Sequence, residues 1–166
     1  MMILEVILIK LVKNIIIILL LMCLCGCNSD VVESEFVDVN NLEYYGYLVI
    51  PKVNMKLGFY NVDNEKNNVG ENVTLIDTGI NNTYLLAAHS GSGHLAYFND
   101  LRYLSVGDKI TLIIDGNIMN YEVVNIRNEI KNGKINIKNE GNQVILTTCN
   151  QVKKWYQLII EGSLIK

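Results

Sequence analysis

The tripeptide Asp115-Gly116-Asn117, between the apolar runs Ile110 to Ile114 and Ile118 to Val124, restricts the fold more than any other feature of the chain. An Asp-Gly pair joining two short β-branched arms specifies an antiparallel hairpin, because its tight turn needs positive φ, which these residues adopt cheaply. The second arm continues through Ile126 towards Ile130. Other strand-like runs are spread along the chain: Gly46 to Ile50, Leu57 to Tyr60, Val73 to Ile76, Thr83 to Ala88, Val144 to Thr148 and Trp155 to Leu164. Pro51 stops the first, since it has no N–H to give a ladder. The unbroken apolar run from Thr83 to Ala88 predicts a strand buried on both faces. Leu95, Phe98, Leu101 and Leu104 recur at helical spacing and predict a short helix. The class is therefore all-β, with one or two short helices. A closed or nearly closed barrel would remove the exposed edges of seven or eight such strands.

The first 27 residues carry a different signal. Lys10 and Lys13 precede an apolar core from Ile15 to Met22, which leads into Leu24-Cys25-Gly26-Cys27. A basic stretch, a short apolar core and a small-residue exit describe an export signal. The core is short against the roughly 20 residues of a membrane span. Leu24-Cys25-Gly26-Cys27 resembles the lipobox of bacterial lipoproteins, which implies Cys27 as the lipidated residue and the mature N-terminus. The alternative is an uncleaved anchor from Ile3 to Cys25. Both hold the remainder outside the cytoplasm at a membrane. Residues 28–43 contain Asp30, Glu33, Glu35, Asp38 and Glu43 with no lysine or arginine, and form a solvated acidic tether. Residues 44–166 form one domain of ordinary size. A formal net charge of −3 argues against a nucleic-acid partner, which needs clustered basic surface.

With Cys27 lipidated and Cys23 and Cys25 removed, Cys149 is the only free thiol. It ends one apolar run, and His89 ends another. A thiol and an imidazole at strand ends are the parts for nucleophilic cysteine catalysis; the bland reading of each is a buried or surface residue of no special role. His94 would make a zinc site with His89 and Cys149, but no fourth ligand pattern accompanies it, and no metal or other cofactor is expected. Lys131, Lys134 and Lys138 read as a solvated basic connection.

Four segments, in order, resemble the sortases of Gram-positive bacteria. They are Tyr47-Leu48-Val49-Ile50-Pro51-Lys52-Val53-Asn54; Leu86-Ala87-Ala88-His89-Ser90-Gly91; Phe98-Asn99-Asp100-Leu101 with Val106-Gly107-Asp108; and Ile145-Leu146-Thr147-Thr148-Cys149. The resemblance spans Gly46 to Ile165 and implies an eight-stranded β-barrel and a cysteine transpeptidase. Cys149 would attack a carbonyl of a substrate's C-terminal sorting signal, and His89 would serve as acid and base. An amine from a cell-wall precursor or a protein would then resolve the thioacyl-enzyme. The segment holding Lys131, Lys134 and Lys138 helps shape the substrate groove in sortases. Sortases also place an arginine early in the last strand, where this chain has Gln157. Glutamine donates hydrogen bonds without charge, and losing one oxyanion donor costs about 10²–10³ in rate. Lys153, Lys154 or Arg127 would have to supply the missing charge. Two further readings follow: a weakly active peptide-binding protein of the same fold, and a hydrolase that uses water as acceptor. Calcium is not called for by any motif.

Overall fold

The computed structural model describes residues 44–138 and 141–165. The expected export signal with Cys27, and the expected acidic tether, lie outside them. Among the described residues, no helix is long and apolar enough to cross a membrane.

Eight strands form one sheet: β1 (Gly46–Ile50), β2 (Met55–Phe59), β3 (Thr74–Ile76), β4 (Thr83–Ala87), β5 (Lys109–Ile114), β6 (Asn117–Ile130), β7 (Gln143–Cys149) and β8 (Tyr156–Leu164). Their order across the sheet is β2-β1-β5-β6-β8-β7-β4-β3. A parallel bridge from Phe59, at the end of β2, to Val73, just before β3, brings the two edges together. The result is the nearly closed barrel that edge protection favours.

The hairpin forms as the sequence dictates. Ile114 pairs with Asn117, and Asp115 and Gly116 take φ of 50° and 76°, the two positive values of a type I′ turn. At the first turn, Pro51–Val53 is a 3₁₀ helix closed by Asn54 in the left-handed region, and it reverses the chain so that Ile50 pairs with Met55. Lys52 then reaches Asp108 at 2.8 Å, and Asp108 also accepts from the Ser105 N–H at 2.6 Å. The hydrogen bond from Lys52, helped by that N–H, holds the Asp108 carboxyl below the usual carboxylate range.

The predicted helix is instead a 3₁₀ helix, Asn99–Tyr103. The three-residue spacing of Phe98, Leu101 and Leu104 is the reason: 3₁₀ winding stacks i and i+3 on one line, and all three are buried in the barrel core. That core is built from Leu48, Ile50, Phe59, Leu86, Leu112, Tyr121, Val123, Leu146 and Ile160 among others. A second cluster, Leu85, Ile145 and Ile159, lies on the opposite face of the sheet, covered by Ile135 and Ile137 from the β6–β7 connection. β4 is therefore buried on both faces, with Leu86 inside and Leu85 outside.

β6 carries the feature that aims the site. Its register against β8 slips between Val123 and Asn125, a β-bulge at Val124. Before the bulge the odd-numbered Tyr121 and Val123 face the core; beyond it the even-numbered Ile126 packs there. Arg127 and Glu129 are thereby turned to the outer face. Gly162 lies opposite Val123, where a Cβ would come within 2.9 Å of the Val144 side chain and 3.2 Å of Tyr121 Cβ.

Candidate active site

β4 and β7 are adjacent and parallel, with Ala87 opposite Thr147. Two residues on, this register sets His89 beside Cys149, on neighbouring chains that run about 4.8 Å apart while the pairing lasts. Side chains hold the two ends together. Thr148 Oγ1 donates to the Ala88 carbonyl at 2.7 Å, and Ser90 Oγ donates to the Cys149 carbonyl at 2.6 Å. His89 is exposed and Cys149 half-buried. Among the described residues the imidazole makes no hydrogen bond, so it is free to meet a substrate proton.

Asn99 fixes the histidine loop, receiving the Gly91 N–H at 2.8 Å and donating to the Gly91 carbonyl at 3.0 Å. Gln151 Nε2 also donates to Asn99 Oδ1, and Arg102 donates to Gln151 Oε1 at 2.5 Å. The 3₁₀ helix, the histidine loop and the β7–β8 loop thus share one polar network. That loop is shaped by Asn150 Oδ1, which accepts from the backbone N–H groups of Val152 and Lys153. Cys149 lies at the rim of a cavity of about 300 Å³ with Phe98, Arg102, Asn128, Gln151 and Leu158. A second hollow, about 360 Å³, is lined by His89, Ser90, His94, Leu95 and Ala96. Cavities of this size suit small ligands or parts of a peptide. Among the described residues, no three His, Cys, Asp or Glu side chains gather to hold a metal.

Gln157 is the cross-strand partner of Cys149, so both side chains emerge on the same, outer face. It is 9% exposed, and its Nε2 donates to the Lys134 carbonyl at 2.9 Å. Arg127 is on the same face but turned to other partners. It bonds Glu129 at 2.8 Å, Glu161, and the Asn136 carbonyl at 2.8 Å. Burial alone would lower the Arg127 pKa, but hydrogen bonds and charge from Glu129 and Glu161 outweigh it and raise the value. The guanidinium pins the β6–β7 connection to the sheet. Lys154 Nζ stands 5.6 Å over the Trp155 ring and Lys153 Nζ 5.7 Å from the Tyr156 ring. His94 shares the histidine hollow. The structure therefore pairs Cys149 with Gln157 across β7 and β8, puts His89 two residues past the β4–β7 pairing in a neighbouring hollow, and leaves Arg127, Lys153 and Lys154 with other contacts.

Sequence reasoning assigns no site role to Ser90, Asn99, Arg102 or Gln151, and reads Lys131 only as part of a basic connection beside the groove. Lys131 Nζ lies 3.2 Å from Cys149 Sγ. Only the bulge in β6, invisible in residue types, turns that side chain towards the thiol.

Comparison with known proteins adds to this geometry. A family model described as the sortase domain matches residues 48–165. No curated protein sequence matches the chain. Among solved structures, sortase C1 from Streptococcus agalactiae is similar at 26% identity and a TM-score of 0.61, over 73% of this chain and 67% of that one. Sortase A from Listeria monocytogenes is similar in fold, at 22% identity and TM-score 0.62, covering 74% and 88% of the two chains. So is the pilus-island sortase C2 of group B Streptococcus, at 20% identity and TM-score 0.63, covering 75% and 76%.

Proposed function

This chain belongs to the sortase family, and we propose that it is a cysteine transpeptidase with Cys149 as nucleophile and His89 as acid and base. One observation supports the proposal: β4 and β7 pair in parallel as far as Ala87 opposite Thr147, and His89 and Cys149 each follow two residues on. Cys149 Sγ, as thiolate, attacks the carbonyl carbon of a scissile peptide bond in a sorting signal. His89 protonates the departing amine as the C–N bond breaks. An incoming amine gives a proton to His89 and attacks the thioester, which releases Cys149. Sites at strand ends suit an extended peptide, which can lie beside the 131–138 connection.

Cys27 lipidation, or the uncleaved anchor, would place this chemistry at the extracellular face of the membrane, where sorting-signal proteins and cell-wall amines meet. Labelling with a palmitate analogue, lost in Cys27→Ser, tests the lipid. A second reading has one specific observation behind it. Gln157, at the position of the family arginine, is uncharged and already bonded to Lys134, which favours a slow enzyme or a peptide-binding protein.

Product analysis separates these readings. With a peptide library and an amine acceptor, the transpeptidase gives an amide-exchange product, a hydrolase gives only the free acid, and a binding protein gives neither. His89→Ala with undiminished exchange would overturn the assigned acid–base role.

A further inference from the structure

We propose that Lys131 is a further catalytic residue, the cation that pairs with the Cys149 sulfur as it attacks; the proposal rests on the reading of Cys149 as nucleophile. Its Nζ is 3.2 Å from Sγ, a charge-assisted hydrogen-bond distance for sulfur.

The placement is fixed by the sheet. Ile130 is the last paired residue of β6, opposite Tyr156, and the Lys131 N–H then bonds the Trp155 carbonyl at 2.7 Å. The backbone of Lys131 thus continues the ladder, and the bulge at Val124 sets its side chain on the face of Glu129, Gln157 and Cys149. No carboxylate competes for it among the described residues. Glu129, two residues earlier on the same face, is held by Arg127. His89 is kept for acid and base work, and the other candidate donors are occupied elsewhere. Gln157 bonds the Lys134 carbonyl, Arg127 bonds two carboxylates, and the ammonium groups of Lys153 and Lys154 stand over aromatic rings.

An ammonium so placed also suits the next step. As Sγ attacks, the C–S bond forms and the carbonyl π pair moves onto oxygen, so the negative charge leaves the sulfur for a neighbouring atom. Lysine has three N–H donors, and two remain for that oxygen. On collapse the C–N bond breaks, the amine departs with the proton from His89, and the oxygen returns to a carbonyl.

The test needs no sorting peptide. The alkylation rate of Cys149 by iodoacetamide, a neutral reagent, is measured at pH 7 on the full-length chain in mild detergent, with Cys23, Cys25 and Cys27 replaced by serine. Lys131→Gln keeps the stem and removes the charge. Without the cation beside Sγ, alkylation is about threefold slower. Lys131→Arg restores the rate to within about twofold, and the gap between native and Lys131→Gln chains narrows in 1 M salt. Equal rates for native and Lys131→Gln chains would overturn the proposal, as would an equal slowing in Lys131→Arg. Slower alkylation in Lys131→Gln, from a chain that forms no thioester with any peptide, supports the ion pair and counts against the transpeptidase reading alone.

Discussion

Replacing Arg127 with methionine separates a structural arginine from a catalytic one. The substitution keeps the aliphatic stem but removes two bonds to carboxylates and one to the Asn136 carbonyl. Removing one member of a fully buried ion pair costs about 3–5 kcal/mol. Here the side chains are 23% exposed for Arg127, 28% for Glu129 and 13% for Glu161, so water recovers part of the loss. The cost becomes about 2–3 kcal/mol, a large share of a typical 5–15 kcal/mol stability. With a urea dependence of roughly 1.5 kcal/mol per molar, the unfolding midpoint falls by about 1–2 M. Peptide exchange, measured well below that midpoint, falls less than about tenfold, because the guanidinium is directed at Glu129, Glu161 and Asn136. A residue serving the oxyanion would lose about 10²–10³. An unchanged midpoint with a hundredfold loss of exchange would refute the structural role.

Gln157→Ala loses the bond to the Lys134 carbonyl and about 1 kcal/mol of stability, while Gln157→Arg raises exchange less than about fivefold because Lys131 already stands at the sulfur; a gain of 10² or more would mean that the site lacks a working cation. Asp108→Asn loses the Lys52 pair and costs about 0.5–1 kcal/mol at pH 7. Because the folded carboxyl titrates below its unfolded value, that stabilisation is complete above about pH 5 and vanishes as pH falls through the folded value. Urea midpoints of the two chains should therefore converge as pH falls through the folded value, and a constant gap would contradict the pairing. Gly162→Ala forces a Cβ within 2.9 Å of Val144 Cγ1 beside the bulge. It should cost about 1–3 kcal/mol in chemical denaturation.

Much of this molecule could be read from residue types. The Asp115-Gly116 turn, the strand runs and the doubly buried β4 follow from local rules, and the barrel follows from the need to protect edges. The matching segments even meet: Lys52 of the first motif pairs with Asp108 of the third. Where the reading went astray, the cause was one of register. An i, i+3, i+6 apolar row suits both α and 3₁₀ winding, and the chain takes the 3₁₀ form at Asn99–Tyr103. Counted in twos from Tyr121 and Val123, Lys131 would point to the core; a single extra residue at Val124 reverses that count. Bulges carry no residue-type signature here, so Lys131 read as part of a solvated loop. Charge alone makes Arg127 and Lys154 candidates, whereas their partners, Glu129, Glu161 and the Trp155 ring, are settled only by pairing.

The central claim is that Cys149 forms a covalent intermediate with a peptide. Intact-mass measurement of the chain after rapid acid quench from a library of sorting-type peptides tests it directly. The account predicts an added acyl mass that maps to Cys149, is released by hydroxylamine and is absent from Cys149→Ala. No added mass with any peptide, or an adduct that persists in Cys149→Ala, would contradict it.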